Sequence, residues 1–334
     1  MRTSNRILEL DMLRGFAIIM MVIGHSFIIQ PFNIHDVPWC ICVKNWIYTY
    51  HMELFFLISG CVFKCDNYTK YIKNKVERIL VPYVFFGVIT LLLHAVPIGV
   101  VNRHISVTKG IVDMLVYGGN YWFLYCLFVI FTLYPLVAKL LKSTFLRIAL
   151  IICCALFYRY LPHVFLLSDV GYYLPYFMMG VLVKPYLQKF INVQWYSHLL
   201  FILFGLSLYW VLYNSSININ YVEGIIRFFK ALSMCAILLS MFSLLMRINI
   251  SNIVVFKNAV IKVLRESSKY SLQIYLFNGF CLVALRTVIC SLFNVSNPIL
   301  IVFGIVAGNL VISICLCKYV IPKVRRLSWI CGLG

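Results

Sequence analysis

The chain has 334 residues, of which 63% are hydrophobic and 12% are charged, and its mean hydropathy is +0.94. A soluble domain of this length does not need so much apolar surface, so the composition excludes a soluble enzyme and indicates a polytopic membrane protein. The formal net charge is +19, but the positions of the basic residues favour a membrane topology and no nucleic-acid partner.

The apolar runs predict an all-α fold with about ten transmembrane helices, because a hydrocarbon core about 30 Å thick needs about 20 apolar residues per helix. The sixth run is short and flanked by Gly and Pro, so nine helices is the alternative count. No soluble domain interrupts the runs, and no cleavage site marks a signal peptide, so we expect one membrane domain over residues 1–334. The predicted spans are 12–30, 46–63, 79–98, 120–138, 146–162, 171–184, 195–213, 227–246, 271–294 and 298–318.

The basic residues concentrate on one side of this topology. With a cytoplasmic N-terminus, 22 of the 29 Lys and Arg residues fall in inner segments or inner helix ends. This bias predicts that both termini are cytoplasmic. The other seven lie on the disfavoured side: Lys44, Arg103, Lys109, Arg159, Arg227, Lys230 and Arg286.

The first predicted helix carries two ionisable residues, Arg14 near its inner end and His25 deep in the apolar run. Eleven residues separate them, so they share a helix face about 16 Å apart along the axis. Arg14 is also explained as a snorkelling anchor, and His25 as an imidazole that ties two helices together. Ionisable residues within a membrane are costly, which makes both of them functional candidates.

The second predicted helix places His51 and Glu53 at a depth similar to that of His25. Glu53 is the only acidic residue in any of the ten apolar spans. A buried carboxylate without a partner is strongly penalised, so an imidazole is its natural partner. The three residues are therefore a candidate acid-base site, with a structural polar clamp as the alternative.

Five segments in chain order resemble motifs of the acyltransferase-3 family of integral-membrane acyltransferases, in its sugar O-acetylase branch. They are "LDMLRGFAIIMMVIGHS", "HMELFFLISG", "KNKVERILVPYVFF", "NYWFLYCLFVI" and "SKYSLQIYLFN", and they cover about residues 8–280. The chain departs from the family at three positions: Glu53 replaces a Pro, Lys75 replaces an Arg, and Asn278 stands where His is frequent.

The resemblance implies O-acylation, typically acetylation, of a cell-surface polysaccharide or its lipid-linked precursor, by a multi-pass protein of the cytoplasmic (inner) membrane. The implied donor substrate is cytoplasmic acetyl-CoA, with no bound cofactor. The thirteen Cys residues lie mostly inside apolar runs, so we expect no metal site. Basic side chains can hold the donor phosphates, although the positive-inside bias alone also explains them. The candidates for this role are Arg14, Lys73, Lys75 and Arg78.

In this hypothesis His25 is the general base for a sugar hydroxyl, and Glu53 or His51 orients its ring. A covalent acetyl-imidazole route through His25 stays open. Acceptor contacts are assigned to Trp122, which is otherwise an interfacial belt residue. They are also assigned to Arg227 and Arg286, which otherwise form structural ion pairs, for example with Glu223.

The principal alternative is a proton-coupled secondary transporter or lipid-glycan flippase, because intramembrane His, Glu and Arg residues also suit a carrier. The two halves of the chain show no internal duplication in sequence, which argues against that alternative. A structural scaffold in a glycan-assembly complex is a third possibility, and it makes no use of His25.

Overall fold

The computed structural model describes residues 7–95, 106–215, 220–249 and 251–333, and every regular element in these ranges is helical. Residues 96–98 of the third predicted span and Arg2, Arg6 and Arg103 of the charge pattern lie outside them. The α-helices of the described residues are α1 (Leu8–His25), α2 (Pro38–Ile47), α3 (His51–Cys61), α4 (Tyr68–Lys75), α5 (Val81–Ala95), α6 (Val107–Tyr117), α7 (Trp122–Leu140), α8 (Thr144–Phe157), α9 (Leu167–Val183), α10 (Leu187–Ile191), α11 (Trp195–Tyr213), α12 (Asn220–Arg247), α13 (Ser251–Lys269), α14 (Ser271–Arg286), α15 (Pro298–Cys315) and α16 (Arg325–Ile330).

Seven continuous helices within the described ranges are long and apolar enough to cross a membrane, by length and composition. Some of them join two α-helices through a short turn, as the π-helical segment Val76–Leu80 joins α4 to α5. The all-α membrane class is therefore confirmed, whereas the count of ten stays a prediction. The seven are Tyr68–His94, Val107–Leu140, Val164–Ile191, Trp195–Tyr213, Val222–Arg247, Ser271–Leu292 and Pro298–Lys323.

The other three predicted spans correspond to shorter or more polar helices. α1 carries three charged residues in its first half and ends at His25, five residues before the predicted end. The predicted helix 46–63 is divided, because α2 ends at Ile47 and α3 begins at His51. At this break Thr49 Oγ1 donates to the carbonyl of Trp46 at 2.7 Å, a side-chain bond that competes with helical pairing. α8 has 14 residues.

The chain divides into two compact units, each built from two stretches of sequence. The first unit comprises Met1–Val62 and Met179–Ile314, and therefore contains α1 to α3 and α10 to α14. The second unit comprises Phe63–Met178 and Cys315–Gly334, with α4 to α8 and α16. α9 and α15 each run across a boundary between the units.

α1 contacts five other helices of the first unit, namely α2, α3, α12, α13 and α14. Its closest approach is to α13, where a Cβ added at Gly15 would lie 1.9 Å from the carbonyl oxygen of Leu264. The two main chains therefore touch at a point that only glycine permits. This packing fixes α1, and with it Arg14 and His25, within the unit.

In the second unit, α4 packs against α7. Tyr68 donates its hydroxyl hydrogen to the carbonyl of Thr132 at 3.2 Å. An aromatic cluster of Phe131, Tyr134 and Phe177 lies in the same unit, with ring centroids 5.0–5.6 Å apart. These contacts fix the helix that carries the predicted basic residues of the donor site.

Candidate active site at the histidine pair

His25 is the last residue of α1, and its side chain is exposed. Its Nδ1 atom lies 2.8 Å from the carbonyl oxygen of Met21. A carbonyl oxygen only accepts hydrogen bonds, so Nδ1 carries the hydrogen, and Nε2 of the neutral ring keeps its lone pair. The His25 ring therefore presents a nitrogen that can accept a proton.

His51 repeats this arrangement one helix later. It is the first residue of α3, is 5% exposed, and has Nδ1 2.9 Å from the carbonyl oxygen of Ile47. α1 contacts α3, and the two imidazoles lie close enough to interact electrostatically. We refer to His25 and His51 as the histidine pair, and their joint role in a site stays a prediction.

Tyr48 connects the two members of the histidine pair, a role that the sequence analysis did not identify. Its ring stacks on His51, with centroids 5.1 Å apart and an interplanar angle of 29°. Its hydroxyl donates to the carbonyl of Gly24, the residue before His25, at 3.4 Å. A Cβ added at Gly24 would lie 2.9 Å from Cε1 of Tyr48, so the glycine at position 24 allows the ring to pack this close to α1. In the sequence, the feature that could have indicated this contact is the glycine at position 24, directly before His25.

Glu53 lies on a different side of α3 from His51. The two residues are two positions apart, which turns their side chains about 200° from each other on a helix. Glu53 is 3% exposed and interacts electrostatically with Cys235 of α12. The role assigned to Glu53 in orienting an imidazole stays a prediction.

A hydrogen-bonded network, which we call the Lys44 network, lies between α1 and the end of α2. Lys44 Nζ lies 2.6 Å from Nε2 of His35, and Nδ1 of His35 lies 3.0 Å from Oδ1 of Asp36. Asn33 donates to Oδ2 of Asp36 at 2.8 Å. The hydrogen bond from His35, and after it that from Asn33, hold the pKa of Asp36 below its usual range. Asp36 is therefore an anchored carboxylate.

The four predicted donor-binding residues are divided between the units. Arg14 is half-buried on α1 in the first unit, and because α1 is continuous, the predicted axial separation of about 16 Å from His25 is retained. Lys73, Lys75 and Arg78 belong to the second unit, where Lys73 and Arg78 are exposed. Lys75 Nζ lies 3.8 Å from the ring centroid of Phe131, a cation–π contact. Donor binding by these residues stays a prediction.

The predicted acceptor residues have protein contacts of their own. Trp122 is half-buried in the second unit and stacks on Tyr173, with centroids 5.6 Å apart. In the first unit, Arg227 forms a 2.8 Å ion pair with Glu223, the acid suggested as a partner for Arg286. Arg286 is half-buried at the end of α14. Their acceptor roles stay predictions.

The sequence model of the acyltransferase-3 family, described as an acyltransferase domain, matches residues 7–318. The chain belongs to this family. The matched region covers nearly the whole chain and includes the histidine pair and all of the other candidate residues. The family and the acyltransferase class predicted from five short segments are therefore confirmed.

Two relatives show how far the similarity extends. Nodulation protein NolL of Sinorhizobium fredii (strain NBRC 101917 / NGR234) is 28% identical over 199 residues, which cover 57% of this chain and 52% of the relative. Nodulation protein NolL of Mesorhizobium japonicum (strain LMG 29417 / CECT 9101 / MAFF 303099) is 27% identical over 137 residues, 39% of this chain and 36% of the relative. The chain thus spans about half or less of the length of these relatives. No solved structure matches the chain.

Proposed function

We propose that this acyltransferase moves an acetyl group from cytoplasmic acetyl-CoA to a hydroxyl of a cell-surface polysaccharide or its lipid-linked precursor. The observation that supports it best is the histidine pair within an acyltransferase domain. O-Acyl transfer needs a base for the acceptor hydroxyl. His25 offers an accessible ring with a free lone pair on Nε2, beside a second neutral imidazole.

The proposed step conserves atoms and charge. Nε2 of His25 takes the proton of the acceptor hydroxyl while that oxygen attacks the thioester carbonyl. The C–S bond then breaks, and the coenzyme A thiolate takes the proton back from the His25 imidazolium. Either His51 or Glu53 orients His25 and its charge. In the second version of the mechanism, Nε2 itself attacks the thioester carbonyl, and the C–S bond breaks to release the coenzyme A thiolate. The acceptor hydroxyl then attacks the acetyl-imidazole, the C–N bond breaks, and the hydroxyl proton passes to the thiolate.

The donor arrives from the cytoplasm in this proposal. Donor entry from this side requires the predicted topology of ten helices in the inner membrane, with both termini cytoplasmic. The donor phosphates then bind to basic side chains, namely Arg14, Lys73, Lys75 and Arg78. The extended pantetheine arm of acetyl-CoA carries the thioester towards His25. The separation of about 16 Å along α1 suits such an arm. On the acceptor side, Trp122 stacks on a sugar, Arg227 and Arg286 meet its anionic groups, and a glycan-assembly complex supplies the acceptor.

The test is thiol release from acetyl-CoA enclosed in proteoliposomes that contain the purified chain. We expect the wild type to release thiol, more rapidly with a lipid-linked glycan extract, and the His25→Ala variant to lose at least about 100-fold in rate. The matched control is His163→Ala, which removes an exposed histidine of the second unit. Full release by His25→Ala would contradict both versions of the mechanism. No release from any variant would favour the transporter alternative.

A further inference from the structure

Lys44 is a cation on the side of the predicted topology where cations are disfavoured. It lies on α2, between the first two predicted spans, and is half-buried. The positive-inside bias places Lys and Arg on the cytoplasmic side of the membrane, so it does not explain a lysine on the outer side of the predicted topology. A partly buried ammonium has a desolvation cost, which its hydrogen bond to His35 helps to offset.

The ammonium of Lys44 lies at the edge of the histidine pair. Its Nζ is 5.6 Å from the ring centroid of Tyr48, and that ring stacks on His51. Lys44 also interacts electrostatically with His25. A substrate group next to the hydroxyl activated by His25 would therefore lie within the field of Lys44.

The Lys44 network holds this ammonium in place. Nε2 of His35 accepts from Lys44, and the opposite ring nitrogen donates to Asp36, so His35 is the neutral tautomer. An ammonium carries three hydrogens. Within the residues that the structure describes, His35 is the single hydrogen-bond partner of Nζ, which leaves two hydrogens for a ligand. Fixing the flexible side chain beforehand lowers the entropy that binding would cost.

The charges around Lys44 suit an incoming anion. Tyr48 and His35 contact it as neutral groups. Asp36, the acid of the network, lies beyond the imidazole of His35. It accepts hydrogen bonds from His35 and Asn33, so it anchors the network without contacting Nζ of Lys44. An ammonium with two free hydrogens recognises carboxylate or phosphate oxygens through charge-assisted hydrogen bonds.

We propose that Lys44 recognises an anionic group of the acceptor, a carboxylate or a phosphate, beside the hydroxyl that His25 activates. This deepens the proposed function and rests on it. Lys44 is then a specificity-determining residue, distinct from the base. The transferase favours an acceptor with a negative charge near the acetylated position.

Two alkyl glycosides that differ in one group provide the test. The purified chain in detergent is titrated with octyl β-glucuronide, which has a carboxylate, and with octyl β-glucoside, which has a hydroxymethyl group. We expect the wild type to bind the glucuronide about tenfold or more tightly than the glucoside. Lys44→Met should abolish the preference and Lys44→Arg should retain most of it. Lys109→Met, which removes an exposed lysine in the second unit, is the matched control and should behave as the wild type.

Several outcomes would overturn the assignment. Equal affinity of the wild type for the two glycosides would do so, as would a preference that survives in Lys44→Met. A second arm uses phosphatidylcholine vesicles with and without phosphatidylglycerol. A Lys44 effect seen only with phosphatidylglycerol would assign the residue to a lipid headgroup instead. His25→Ala should keep the glucuronide preference while losing thiol release, so normal release by that variant would refute the base and leave the Lys44 result interpretable.

Discussion

Replacing Gly24 by alanine tests whether Tyr48 positions the histidine pair. The added Cβ would lie 2.9 Å from Cε1 of Tyr48, whereas ordinary contacts begin at 3.4 Å, so the ring must retreat by about 0.5 Å. The obstructing atom belongs to a side chain, so we expect the fold to persist. The Tyr48 ring, however, bonds to the carbonyl of Gly24 and stacks on His51. A misplacement of about 1 Å in a catalytic group can cost about 100-fold in rate, so a shift of half that size should cost on the order of tenfold.

The assay is thiol release from acetyl-CoA, measured together with thermal unfolding of the same preparations. Gly279→Ala is the matched control, because it places the same substitution inside α14, where a Cβ meets nothing within 4 Å. The control should keep full activity and gain up to about 1 kcal/mol of stability from the better helix former. If Gly24→Ala released thiol within twofold of Gly279→Ala, the positioning role of Tyr48 would be wrong.

Two further predictions concern the contacts of α1 with the residues packed against it. Tyr48→Phe keeps the stack on His51 and loses only the 3.4 Å bond to the Gly24 carbonyl, so it should retain most of the thiol-release rate. Tyr48→Ala also removes the stack and should lose at least about tenfold in that rate. Equal rates for the two variants would contradict this prediction. In Gly15→Ala the new Cβ clashes with the main-chain oxygen of Leu264, which cannot rotate away. The substitution should therefore destabilise the protein by about 3 kcal/mol or more. An unfolding midpoint equal to that of the wild type would disprove the close α1–α13 contact.

The sequence predicted those parts of the site that depend on spacing within one element. Arg14 and His25 share α1 because the apolar run between them is uninterrupted. Consecutive apolar runs also predict a similar membrane depth for His25 and His51, which stays a prediction. The break before His51 was not predictable from hydropathy, because the residues on both sides of it belong to one apolar run; at the break, the Thr49 side chain bonds to the Trp46 carbonyl. Tyr48 was missed for the same reason, since its position depends on that break and on the packing against Gly24.

Glu53 shows a signal that was present in the sequence but was given too little weight. Its predicted depth matched that of the histidines, and depth alone suggested a carboxylate–imidazole pair. A spacing of two residues on a helix separates side chains by about 200°, so His51 and Glu53 could not face one partner together. The orientation around the helix axis limits acid-base partners as strongly as depth does.

The histidine pair divides naturally into a reacting member and a supporting member. Both rings are fixed in the same tautomer by main-chain carbonyls, so their difference lies in access: His25 is exposed, whereas His51 is 5% exposed and covered by Tyr48. Two imidazolium ions this close would repel each other, so the pair favours a single added proton. In the proposed mechanism the acceptor hydroxyl approaches His25, because the His51 ring is covered. In this mechanism the proton is therefore taken at His25, while His51 and its Tyr48 stack keep the neighbouring surface rigid as the thioester carbonyl is attacked.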